Sequence, residues 1–216
     1  MPVDFVNIRG YHVTYRLLMK KIILASVSPR RKELLEKIGL KFEIEPGDGE
    51  ELADTDLETH EMVQKLSREK AEVIARKYHN AIVIAADTVV LLDDKVLGKP
   101  HSQAEARKML RLLSGKSHVV ITAFTIIDTD KKRILSKSVE TKVYIRKLNQ
   151  REIDAYVKSR EPLDKAGAYA IQGLGSAIVE KIEGDYFNVV GLPLSTLAES
   201  LKEFGIDIWE NVKPEH

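Results

Sequence analysis

Arg30 and Arg31 follow Ser26-Val27-Ser28-Pro29 at the point where an apolar run, Lys21–Ala25, gives way to a helical pattern. A helix N-terminus offers unpaired backbone N–H groups and the positive end of the helix dipole, which suits an anion. Two guanidinium groups there oppose that dipole, so a bound polyanion accounts for them, and the planar fork of arginine suits phosphate. Two solvated arginines on an ordinary helix start weigh about equally on the pattern alone. Asp87 lies in Ala-Ile-Val-Ile-Ala-Ala-Asp-Thr-Val-Val-Leu-Leu, residues 81–92. An ionised carboxylate in a buried strand is costly unless paired or bound to a metal. Thr88 sets a hydroxyl beside it. A strand ending at Ala86 is the plain alternative, and Val89–Leu92 count against it. Lys70 falls on the inner stripe of its helix, after Leu66 and before Val73, and either snorkels outward or reaches a buried anion. Lys99 is held on a loop between Gly98 and Pro100. Glu50 and Glu51 supply carboxylates of the kind Mg²⁺ or Mn²⁺ takes, although such a pair is ordinarily a solvated loop. Together these types suit the holding of a polyanion beside a carboxylate that is paired or bound to a metal.

Two further patterns carry nothing. Ser114-Gly115-Lys116-Ser117 ends like a P-loop, but Leu110 stands where the motif needs glycine and the helix precedes it. Gly173-Leu174-Gly175 begins like a dinucleotide fingerprint, but its third glycine and its helix are missing. The chain has 216 residues, 44% hydrophobic and 31% charged, with a formal net charge of +1 and no cysteine. That length serves one large domain or two closely packed lobes. The near-neutral balance argues against a dedicated nucleic-acid binder. Absence of cysteine excludes a disulfide scaffold, a thiolate metal site and a cysteine nucleophile. The six histidines have no metal-ligand spacing, so zinc is not expected. No run reaches the roughly 18 apolar residues of a membrane span, and residues 1–18 lack the apolar core of a signal peptide. These features predict a cytoplasmic protein.

The elements that must position the candidates follow from local signals. Lys21–Ala25 reads as a strand. A helix begins after Ser28 as N-cap, with Pro29 first and Gly39 past its end, burying Leu34, Leu35 and Ile38. Phe42–Glu45 reads as a short strand, and residues 59–77 as a helix with Val63, Leu66, Val73 and Ile74 on one stripe. Ala81–Leu92 reads as a central strand and Asp93-Asp94 as a turn. Ser102–Glu105 and Asn149–Glu152 read as capping boxes opening helices to Gly115 and Ser159. His118–Asp128 and Ile134–Ile145 read as paired strands. Residues 164–191 should hold short strands and site loops, and a last helix carries Leu197, Leu201 and Phe204. The expected class is α/β with a mixed sheet. Residues 1–18 read as an N-terminal extension, with Met19 as an alternative start, and residues 19–216 as one domain.

The segments Leu24–Leu35, Ser67–Ala71, Ala86–Val90, Gly98–Pro100, Leu113–Lys116, Asp164–Gly173 and Asn188–Pro193, in this order and spacing, resemble the Maf family of nucleoside triphosphate pyrophosphatases over nearly all of residues 20–205. The resemblance implies a two-lobed α/β mixed-sheet fold similar to the inosine triphosphate pyrophosphatases, with a cleft between the lobes. It implies cleavage of a nucleoside triphosphate to the monophosphate and pyrophosphate with a divalent metal, Mg²⁺ or Mn²⁺. Ser26, Arg30, Arg31, Lys70 and Lys99 match the family's phosphate-handling positions, Asp87 the proton acceptor or metal ligand, and Glu51 the acidic metal-site position. Arg30, Thr88 and Gln172 match positions tied to base choice, and Ile171-Gln172-Gly173 resembles the branch acting on dTTP and UTP. A 7-methyl-GTP or modified-nucleotide enzyme, and a non-enzymatic regulator of septum formation, are the alternatives. The expected partner is a nucleoside triphosphate, with no stable nucleic-acid complex and no membrane; a homodimer is the oligomer left open.

Overall fold

The computed structural model describes residues 7–8, 11–12, 20–46 and 57–210; Met19, Glu50 and Glu51 lie outside them. The elements run β1 (Asn7–Ile8), β2 (Tyr11–His12), β3 (Lys21–Leu24), α1 (Pro29–Lys37), β4 (Glu43–Ile44), α2 (Thr59–Ala75), β5 (Ala81–Leu92) and β6 (Lys95–Leu97). They continue through α3 (Gln103–Leu113), β7 (Ser117–Asp128), β8 (Arg133–Ile145) and α4 (Gln150–Lys158) to three short 3-10 turns at Glu161–Asp164, Ala166–Ala168 and Gly173–Ala177. β9 (Val179–Gly184), α5 (Tyr186–Val190) and α6 (Leu194–Lys202) complete the fold. Among the described residues β1 and β2 pair only with each other. The other seven strands form one sheet in the order β4-β3-β5-β7-β8-β9, with β6 on β5. β3 is parallel to β4 and β5, and every other pairing in that sheet is antiparallel. The class is therefore α/β with a mixed sheet.

Local chemistry explains the boundaries. Pro29 opens α1, and the helix closes with Gly39 N–H on Glu36 O and Leu40 N–H on Leu35 O, a paired glycine cap. Ser28 takes the extended N-cap conformation, but its side chain caps nothing; Ser26 Oγ instead accepts from Ser28 N at 3.2 Å. Asn149 and Glu152 form both halves of a capping box. The box at Ser102 is half formed. Ser102 Oγ accepts from Glu105 N, while the Glu105 carboxylate reaches one residue further back, to His101 N at 2.7 Å. Asp93 and Asp94, at φ 48° and 61°, make the hairpin turn into β6.

β5 is buried on both faces, with successive side chains going to opposite faces of the sheet. Ile82, Ile84 and Ala86 pack with α1 and α6 in one apolar cluster, and Val90 and Leu92 pack with α3 and α4 in another. On β7 the same face gives Phe124 and Ile126 to the first cluster and Val120 to the second. Between them lie Thr88 and Thr122, direct cross-strand partners whose hydroxyls meet at 2.9 Å. Thr122 Oγ1 also donates to Asn188 O at 2.8 Å, and Asn188 Nδ2 donates to Val120 O and to Thr141 Oγ1. A satisfied polar seam therefore divides the core into the two lobes. The opposite face of β5 packs Val83, Ala85 and Val89 against α2.

The second cluster also encloses His118, whose Nε2 lies 2.7 Å from Tyr169 Oη, while no described residue bonds its Nδ1. Desolvation pushes this imidazole down from 6.5 to about 4. The unfolded chain takes up that proton near its ordinary pKa and the folded chain does not. Stability is therefore full above about pH 6.5 and falls as pH drops toward about 4, by about 3 kcal/mol in total. Denaturant titrations between about pH 7 and about pH 4.5 should show a steeper loss for the parent chain than for His118→Gln. Equal slopes would refute the assignment.

Candidate active site

The registers of β3 and β6 leave a gap along one edge of β5. β3 pairs as far as Leu24 with Ile84, and β6 resumes with Leu97 opposite Val90. Between them, Ala85–Val89 has β7 on one side and neither of these strands on the other. Ala25 N donates to Ile84 O at 2.8 Å. Two residues on, and again two further, Ala86 and Thr88 turn their backbone groups to that same edge, which no described strand covers. A cleft of about 1140 Å³ opens there. It is lined by Ser26, Arg30, Arg31, Lys70, Asp87, Thr88, Lys99 and Gln172, so the structure gathers every described candidate into one place. Glu51 lies outside the described residues.

One wall is the N-terminus of α1. Arg31 is anchored from three directions: Nε donates to Gly191 O at 3.0 Å, Nη2 to Thr88 Oγ1 at 3.2 Å and Nη1 to Ser26 Oγ at 3.4 Å. Arg30 reaches Asp164 Oδ2 at 3.3 Å and so links α1 to the lobe carrying α3 and α4. Burial raises the Asp164 carboxyl, but Lys165 and Arg30 outweigh it and hold the group below its ordinary range. Neither arginine is simply solvated, and both stand where the dipole and the guanidinium charges face the cleft.

The floor is Asp87. Its side chain is 9% exposed and its Oδ1 accepts from Lys70 Nζ at 2.5 Å. The strand pattern sends Asp87 to the face that α2 covers, and Lys70 comes from the inner stripe of α2. The lysine therefore reaches a buried anion rather than snorkelling away. The opposite wall carries Lys99, exposed on the loop after β6, whose neighbour Gly98 O accepts from Gly167 N at 3.0 Å. Gln172 is half-buried on the same side. No three His, Asp or Glu side chains converge on a metal position among the described residues.

The site also contains residues that the pattern did not single out. Asp164, Lys165 and Tyr169 line the cleft, and all three lie in the motif Asp164–Gly173, where the signal was available. Gly191, also in the lining, falls in the motif Asn188–Pro193, as does Asn188, which lies outside the lining and bonds Thr122. Thr122 has no local signal, since its role comes from standing opposite Thr88.

A buried carboxylate, set among cations in a sheet gap between two lobes, defines an α/β protein equipped to hold a polyanion and act on it. The family model described as Maf-like protein matches residues 21–204, and the chain belongs to the Maf family. It is 50% identical over 190 residues, 88% of this chain and 93% of the other, to a dTTP/UTP pyrophosphatase of Bacillus cereus (strain ATCC 10987 / NRS 248). It is 48% identical over 194 residues, covering 89% of this chain and 100% of the other, to a dTTP/UTP pyrophosphatase of Methanococcoides burtonii. A dTTP/UTP pyrophosphatase of Methanosarcina barkeri is likewise 48% identical over 193 residues, 89% of this chain and 98% of its own. No helix among the described residues is long and apolar enough to cross a membrane.

Proposed function

We propose that the protein hydrolyses dTTP and UTP to the nucleoside monophosphate and pyrophosphate. The observation that carries this reading is the Lys70–Asp87 pair on the cleft floor, within one cleft with Arg30, Arg31 and Lys99. The names of the relatives support the substrate class. In this reading the arginines and lysines hold the phosphate chain and neutralise the pyrophosphate as it leaves. Asp87 accepts a proton from the water that attacks the α-phosphorus, the Pα–O bond to the β-phosphate breaks, and pyrophosphate carries away the electron pair. Lys70 offsets the buried charge of Asp87 and points it into the cleft. Ser26 and Thr88 orient the Arg31 fork, and Gln172 meets the base, whose imide edge matches an amide's donor and acceptor.

The donor set fits a hard divalent cation held by Asp87 together with phosphate oxygens, the way Mg²⁺ is usually bound, with one or two carboxylates and the substrate's own phosphates. Lys70 bonds Oδ1; Asp87, with Glu51 as the second carboxylate we assign to it, would hold the cation, and for Asp87 that role is the alternative to accepting the water's proton. The cation, Mg²⁺ or Mn²⁺, would add charge neutralisation at the phosphates. A panel of dTTP, UTP, CTP, GTP, 7-methyl-GTP and modified nucleotides, with released pyrophosphate as readout, tests the reading. Preference for dTTP and UTP is expected. Preference for 7-methyl-GTP would move the protein to another branch, and no turnover on any of them would favour a binding role.

We also propose that residues 19–216 are one domain and residues 1–18 an extension to it. Among the described residues β1 and β2 pair with each other and join no other strand. Deleting residues 1–18 should change kcat/KM by less than about twofold and the melting temperature by less than about 2 °C. An insoluble or inactive product would refute this.

A further inference from the structure

We infer that Tyr156 and Glu161 form a clamp that fixes residues 170–175 and so positions Gln172 for choice of base. The inference rests on Gln172 being the base-facing residue, as proposed above. Both members of the clamp are positioning residues, and neither is among the described residues that line the cleft.

Gln172 belongs to no strand or α-helix; it precedes a short 3-10 turn. Something else must hold it, and α4 with the turn after it does so. Tyr156 is buried on α4, and its hydroxyl accepts from Ala170 N at 3.0 Å and donates to Glu161 Oε1 at 2.9 Å. The same carboxylate accepts from Gly175 N at 2.9 Å and from Leu174 N at 3.0 Å. Two joined side chains therefore tie down amides on both sides of Gln172. Burial raises the Glu161 carboxyl, but the two amides and the phenol outweigh it and hold it below its ordinary range. It remains an ionised, purely accepting group at neutral pH.

The clamp also accounts for the glycines that imitate a dinucleotide fingerprint. A Cβ on Gly173, where φ is +64°, would lie 2.5 Å from Glu161 Oε2. A Cβ on Gly175 would lie 2.1 Å from Ala170 O and 2.5 Å from Tyr156 Oη. The segment can close on the carboxylate only because both positions lack side chains.

Two variants test this. In Glu161→Gln an amide N–H₂ must face Leu174 N or Gly175 N, so one end of the clamp opens while the shape is kept. Tyr156→Phe removes the hydroxyl alone and carries the test if the first variant fails to fold. Both are compared with Gln172→Glu for kcat and KM on dTTP, UTP, CTP and GTP, and for Kd of pyrophosphate. Each clamp variant should raise KM for dTTP and UTP about tenfold, change kcat less than about threefold, and narrow the preference over CTP and GTP. Pyrophosphate Kd should stay within about twofold. If Gln172→Glu abolishes base preference while both clamp variants retain it, the clamp is overturned and the role of Gln172 stands. If Gln172→Glu leaves preference intact, the role of Gln172 and the clamp both fall. Equal loss on all nucleotides, with weaker pyrophosphate binding, would mean general structural support and would overturn the inference.

Discussion

Asp87→Asn is expected to lower kcat by about 10²–10⁴-fold while nucleotide binding survives. Asn keeps the size of Asp87 and its hydrogen-bonding capacity, and the position is flanked by well-packed residues on β5. It cannot accept the proton of an attacking water, and it is a far poorer ligand for a hard cation. The cleft cations Arg30, Arg31 and Lys99, which we propose hold the phosphates, are untouched, so Kd for the nucleotide should change little. Removing an isolated buried carboxylate would stabilise the fold, but here Lys70 sits 2.5 Å away and would be left facing a neutral partner. Asn at this position keeps an amide oxygen that can still accept from Lys70 Nζ, so the ammonium is not left without an acceptor and the melting temperature should fall by only about 2–4 °C. The three measurements belong on one preparation. A loss of kcat below about tenfold would remove Asp87 from the chemistry, and a joint collapse of activity and melting temperature would make it structural.

Arg31→Lys should cost about 10²-fold in kcat/KM although the charge is conserved. The three Arg31 bonds reach the segment between α5 and α6, the loop after β3, and β5 itself. A planar guanidinium meets all three at once; a single ammonium cannot. The loss therefore reports geometry rather than charge, and it should appear in both kcat and the affinity for pyrophosphate. A change smaller than about threefold would mean that Arg31 serves only as a point charge.

Short-range chemistry was legible in the sequence. Pro29 and Gly39 bracket α1, and Asn149 with Glu152 opens α4, because the hydrogen bonds involved span only a few residues. Asp87 and Lys70 could each be recognised as ionisable side chains on apolar faces. What period and composition do not carry is which faces meet. The Lys70–Asp87 pair, the anchoring of Arg31 by Gly191 O and the partnership of Thr88 with Thr122 depend on the packing of α2, the α5–α6 corner and β7 against β5. Glu105 followed the capping pattern, yet it bonds His101 N because the chain before Ser102 turns toward it. β6 is three residues long, too short for alternation to show. The 3-10 turn Gly173–Ala177 is held by Glu161, which lies in the earlier turn and is itself bonded by Tyr156 of α4, so no local signal marks it.

The stretch of β5 that no described strand pairs on one side has a consequence for behaviour in a crowded solution. Free strand edges are templates on which other chains pair, and soluble proteins usually blunt them with charge, proline or a short length. β5 is apolar and 12 residues long, the composition of a strand prone to self-association. Its open stretch is recessed behind α1 on one side and residues 164–172 on the other, with Arg30 and Asp164 joined between them. A compact phosphate ester can reach that edge, whereas a second extended backbone needs room along the strand that these walls deny. The walls that shape the cleft thus also shield the unpaired stretch Ala85–Val89 of an apolar strand from pairing with other chains.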